Sequence, residues 1–151
     1  MKHNRSRKKR WQWYGVKLLY ESVISGKPTP EAIDKYYSNA IKTFEESIVL
    51  VYALSFDHAY KIAENQAKDN QISYHNYYNE LVEWNLVQAI DCFVLIDDVI
   101  KTGTEVYSRF ISVPKEISNE TVISRFFPES EDLVEDNLDY KWVLRNRDLN
   151  K

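Results

Sequence analysis

Residues 45–70 read EESIVLVYALSFDHAYKIAENQAKDN, and two periodicities meet inside them. Ile48 to Leu54 is an unbroken apolar run with β-branched residues, the mark of a strand buried on both faces. It predicts a central strand with Ile48, Val49, Leu50, Val51 and Tyr52 all largely buried. At Ser55 the period changes. A serine there can accept a hydrogen bond from a free amide of a first helical turn, and Asp57 suits the positive end of that helix. Phe56, Ala59, Ala63 and Ala67 then recur at helical spacing. A stripe of alanines puts nothing bulky between the helix and what it covers. The helix over 56–69 should therefore lie close on a sheet.

Working outward, WYGVKLLYESVI (13–24) alternates Tyr14, Val16, Leu18 and Tyr20 with Gly15, Lys17, Leu19 and Glu21. That is a strand with one wetter face. SGKPTP (25–30) breaks it, and Thr29, Pro30 and Glu31 predict the start of a short helix running to about Ser38. ISYHNYY (72–78) reads as a strand and Asn79–Glu80 as a turn. LVEWNLVQAIDCFVLI (81–96) reads as a long strand whose phase slips near Val87 to Ala89, where a bulge would restore it. TEVYSRFISV (104–113) predicts a further strand, entered through a turn at Gly103. NETVISRFF (119–127) predicts a short helix capped by Asn119. The fold class expected is α+β, an antiparallel sheet of about four to five strands with one main helix packed on one face. The expected organisation is a basic disordered arm over 1–10, a single α+β domain over 11–128 and an acidic, loosely ordered segment over 129–151.

Charge supports that division. The net charge of −3 conceals six Lys or Arg in residues 1–10 against none of the 23 acids, leaving fourteen basic residues against twenty-three acidic ones in the remainder. Six of those acids fall in ESEDLVEDNLD (129–139). A chain of 151 residues, 44% hydrophobic and 28% charged, can bury a core without disulfides or metal. The single cysteine, Cys92, lies in the apolar run IDCFVLI, reads as a small buried residue rather than a nucleophile, and fits a reducing, cytoplasmic setting. The start, MKHNRSRKKR, has no apolar stretch behind it and does not read as a signal peptide. The longest apolar run, 48–54, is too short to span a bilayer, so no membrane partner is expected.

Several constellations carry chemistry. On a strand, Glu105, Tyr107 and Arg109 would share one face, a carboxylate, a phenol and a guanidinium about 7 Å apart. An ordinary solvated strand face is the favoured reading, with Arg109 the best single contact because its fork grips carboxylate or phosphate. Tyr74, His75, Tyr77 and Tyr78, near Trp84, form a candidate aromatic patch; eleven tyrosines exceed what a core usually absorbs. Arg5, Arg7, Lys8, Lys9 and Arg10 beside Trp11 and Trp13 resemble a single-stranded nucleic-acid contact. A solvated arm with packed tryptophans is favoured, since the acidic body would repel phosphates. His3, His58 and His75 lack metal-site spacing, Asp91, Asp97 and Asp98 suit a strand end better than a cation, and three glycines cannot build a P-loop or dinucleotide fingerprint. No G-x-S-x-G elbow occurs. No metal and no cofactor are expected, and the absent motifs argue against an enzyme.

WYGVKLLYE near the start, EESIVLVYALSFDHAYKIAENQA in the middle and GTEVYSR near the end together resemble a bacterial family known as domain of unknown function 4288. The resemblance covers roughly residues 13 to 111. It implies a small cytoplasmic α+β protein and no activity. The basic arm and the acidic segment lie outside it. The function expected from the residues is a protein-binding module, immunity-like or antitoxin-like, acting through an acidic, tyrosine-rich surface. The partner expected is a protein, a second copy of the chain included. The alternatives are a small enzyme or ligand binder using Glu105, Tyr107 and Arg109, and a nucleic-acid accessory protein using residues 1–10.

Overall fold

The alternation read in residues 13–24 builds the middle of a sheet. β1 (Gln12–Ser25) pairs antiparallel with β2 (Phe44–Ala53) on one side and with β4 (Leu81–Val94) on the other, in a computed structural model that describes residues 10–127. β3 (Ser73–His75) adds to β4, so the four strands run β2-β1-β4-β3. α1 (Phe56–Asp69) follows β2, and α2 (Asn119–Phe126) follows β4. Among the described residues the fold is an antiparallel four-stranded sheet with two helices, one of them the main helix, of α+β type. The chain divides between Ser108 and Arg109 into two units. The first holds the sheet and α1, and the second holds α2.

In the first unit, Tyr14, Val16 and Leu18 of β1 are almost wholly buried with Val51 and Ala53 of β2 and Ala59, Ala63 and Ala67 of α1. The alanine stripe does what its spacing predicts: without bulk beyond Cβ, the helix backbone comes down onto the apolar side chains of β1 and β2. Ser55 caps α1 as expected, its hydroxyl accepting from the His58 amide at 3.2 Å. The predicted phase slip in β4 is also present. The β1–β4 register shifts twice, passing over Ile90 and Val87, and restores Ala89 and Leu86 to the core side.

Three expectations need correction. The run 48–54 is not central. β2 sits at the edge of the sheet, and Ile48, Leu50 and Tyr52 are exposed, while Val51 is buried and Val49 is partly so. An apolar run records which faces avoid water, not which edges are paired, and β1 takes the central place because both its edges are laddered. The helix expected over 30–38 is a single 3-10 turn, Pro30–Ala32, and Thr29 makes no side-chain cap. The Asp34 side chain accepts from the Tyr36 amide at 2.9 Å, which closes a local turn in competition with helix. Residues 104–113 form no strand. Gly103 does turn with φ 89°, and the Thr104 amide returns to the Lys101 carbonyl, but the chain that follows meets no ladder partner.

In the second unit, α2 is capped by Ser118, one residue before the Asn119 expected, with the Ser118 hydroxyl accepting from the Thr121 amide. The Glu120 carboxylate in its first turn is held below the usual carboxylate range by its own backbone amide and then by the Ser118 hydroxyl. No helix among the described residues is long and apolar enough to cross a membrane.

Candidate functional site

Side chains on the odd positions of β1 and the even positions of β2 share the face opposite the alanine stripe. At one end of that face, Trp13 pairs across the strands with Tyr52, their rings 5.1 Å apart. Trp11, just before β1, stacks on the same tyrosine at 5.5 Å and meets His58 edge-on at 5.6 Å. His58 is oriented by the Leu54 amide, which donates to its Nδ1. Three large rings are thus organised on one another, yet Trp11 and Tyr52 are each 48% exposed. Packed tryptophans, the reading favoured from sequence, leave out that half of the Trp11 surface stays in water.

The face continues along the sheet. Leu50 (38% exposed) and Phe93 flank Gly15 in register, and Ile48 (39% exposed) and Asp91 flank Lys17. Gly15 has no side chain because the Phe93 ring lies across it; a Cβ there would overlap the ring carbons. Tyr107 completes the row, its ring 5.4 Å from Phe93, with the Lys17 ammonium 5.2 Å from its centroid. Lys17 also pairs with Glu46 at 3.4 Å. Aromatic and aliphatic surface therefore runs from Trp11 to Tyr107, edged by Glu46 and Asp91. Such a surface offers area and ring faces, and the cation within it, Lys17, is paired with Glu46. It suits recognition, and it presents no nucleophile paired with a base.

A second cluster lies near the β3–β4 turn. Glu80 is 7% exposed, with both carboxylate oxygens occupied: Tyr37 donates at 3.0 Å and Asn76 at 3.1 Å. Asn76 accepts in turn from the amides of Tyr78 and Glu80, and Asn79 takes φ 64° to close the turn. Tyr78 donates to Asp34 and stacks edge-on against Tyr37 at 4.8 Å and Tyr77 at 5.3 Å. Burial, and then the acceptor carboxylates Glu80 and Asp34, raise the phenols of Tyr37 and Tyr78, which keeps both as donors. A cleft of ≈ 460 Å³ opens beside this network, lined by Ser22, Ser38, Asn39, Lys42 and Glu80 among others. Its carboxylate is committed to the turn and Lys42 to Glu21, so the network acts first as a clamp between the 26–41 connection and the 76–80 turn.

The residues singled out in the sequence are distributed unevenly over these places. Tyr77 and Tyr78 meet edge-on, joined by Tyr37, which sequence did not single out; Tyr74 and His75 sit exposed on the three-residue β3. Tyr107 joins the sheet face, while Glu105 is exposed outside any strand. Arg109 belongs to the second unit, where its guanidinium lies over the Phe127 ring at 5.6 Å. Arg10 is exposed; Arg5, Arg7, Lys8 and Lys9 and the acidic stretch 129–139 lie outside the described residues. Tyr52 and Glu80 carried no functional signal in the sequence, and Trp11 was read only with the basic arm, because their exposure or burial depends on strand order. Cys92 is partly buried, and burial, with the Asp91 carboxylate second, pushes its thiol up to about 11, away from nucleophilic use. No cluster of metal-ligating side chains occurs among the described residues.

A family model described as Domain of unknown function (DUF4288) matches residues 13–108, the stretch from Trp13 through the segment that carries Tyr107. No curated protein and no solved structure matches the chain significantly.

Proposed function

Since the chain belongs to the DUF4288 family, whose description carries no activity, we propose that it is a protein-binding module and that its contact surface is the sheet face from Trp11 to Tyr107. One observation carries this reading. Trp11, Trp13 and Tyr52 are held ring on ring by the sheet while Trp11 and Tyr52 keep about half their surface in water. Rigid, half-exposed aromatics are what an interface uses as anchors, because little side-chain freedom remains to be lost on contact. The partner is a protein with a basic surface. The chain outside residues 1–10 has nine more acids than bases, and Glu46 and Asp91 edge the face. Occupying and neutralising a basic protein is the action of an immunity-like or antitoxin-like module.

The test is capture of a partner by the full chain, followed by titration with the purified pair. Trp11→Ala and Tyr52→Ala should each weaken binding by about 2 kcal/mol or more, as truncation of an anchor does, with Tm little changed. Unaltered affinity in both variants would remove this face from the reading. Tyr107→Ala separates the face from the Glu105, Tyr107 and Arg109 set: loss with Tyr107→Ala but not with Glu105→Ala favours the face.

A further inference from the structure

The sheet has two edges, and they are built differently. On the β3 side, the added strand is three residues long, and the rest of β4 carries two register shifts. Short strands and bulges are the usual devices that stop an edge from pairing with another chain. The β2 edge has neither. It pairs with β1 over ten consecutive residues without a shift, and FEESIVLVYA contains no proline, its only charges being Glu45 and Glu46 near one end. Among the described residues, no hydrogen bond reaches it from outside β1.

We propose that this edge pairs with the β2 edge of a second copy, antiparallel about a two-fold axis at Val49, to form a continuous eight-stranded sheet. The side-chain pattern selects both the partner and the direction. With Val49 opposite itself, Ile48 faces Leu50 of the other copy on the exposed side, and Glu46 faces Tyr52, a carboxylate opposite a phenol. Ser47 faces Val51 and Glu45 faces Ala53. No acid meets an acid. A parallel pairing in register would set Glu45 and Glu46 each against its own copy, and like charges directly opposite disfavour pairing. Ten residues at about 3.4 Å each give an edge about 34 Å long. Such a strip falls below the ~800 Å² per partner of a standard interface, so the dimer is weak and reversible. The inference rests on the open backbone edge of β2, and although Ile48, Leu50 and Tyr52 also belong to the contact face, Trp11→Ala tests the heterologous partner without touching this edge.

Sedimentation velocity of the full chain over a concentration series tests it, with hydrogen exchange of the β2 amides followed in parallel. Concentration-dependent dimerisation is expected, with slower exchange in β2 as concentration rises. Ile48→Lys and Leu50→Glu, both at exposed positions, should each weaken self-association at least about tenfold, since each sets a charge against an apolar side chain at the middle of the pair. Mixing the two variants should restore a dimer, because the introduced ammonium of one chain then lies opposite the introduced carboxylate of the other. A chain that stays monomeric throughout overturns the proposal. So does a dimer that both variants leave intact, and so does a mixture that fails to associate.

Discussion

Gly15 is constrained by what lies across it rather than by its own backbone. Any side chain there displaces Phe93, and Phe93 is the ring on which Tyr107 rests. Gly15→Ala should therefore cost about 1–3 kcal/mol, the range for forcing a methyl into a packed site. Combined with Phe93→Ala the cost should shrink, because the obstacle is gone; thermal melts of the two single variants and the double variant measure that coupling. Cys92 is constrained by its surroundings in another way. Its thiol, ordinarily near 9.0, is pushed up to about 11 by burial first and by Asp91 second. The folded state thus holds the proton more tightly than the unfolded one. The stability from the neutral thiol is complete below the unfolded value near 9.0 and is lost as pH rises through about 11. Alkylation of Cys92 by iodoacetamide should be slow at neutral pH and keep rising toward that value, whereas a rate that levels off near pH ~8 would mean an open thiol.

At the scale of elements, α1 depends on one cap and one stripe. Ser55→Ala removes the acceptor for the His58 amide and should cost about 1 kcal/mol, read from a urea melt. Ala63, 1% exposed, sits where the helix meets the β1–β2 core. Ala63→Leu should destabilise by about 1–3 kcal/mol through overpacking, while the same change at exposed Gln66 should be nearly neutral. β2 gives a sharper contrast along a single strand. Val51→Asp should unfold the domain, since it buries an unpaired charge at a position 3% exposed, whereas Leu50→Asp, one residue away, should leave a folded protein. Equal effects at the two positions would contradict the face assignment.

At the scale of the whole chain, the proposed binding role assigns to charge how a partner arrives and to the rings how long it stays. Raising salt from low ionic strength should slow association with a basic partner and leave dissociation nearly unchanged, because screening acts on long-range steering. Trp11→Ala should do the reverse. Surface-immobilised kinetics at two salt concentrations separates the two effects. What could be read from sequence at this scale follows range of interaction. The alternation of Tyr14, Val16 and Leu18, the Ser55 cap with its alanine stripe and the bulge in β4 are written in neighbouring residues, because strand pleat, helix pitch and capping are local geometry. The family resemblance was legible for the same reason. Strand order was not. The apolar run 48–54 has the same composition in the middle of a sheet or at its edge, and only pairing across the sheet placed β1 between β2 and β4. That placement left Ile48, Leu50 and Tyr52 in water, drew Tyr107 onto Phe93, and turned a stretch that alternates like a strand into an unpaired segment. Sequence alone determined β1, α1 with its cap and the bulge of β4, whose signals are local. Tertiary structure decided which side chains find cover, since cover is supplied by residues far along the chain, whose position no local pattern encodes.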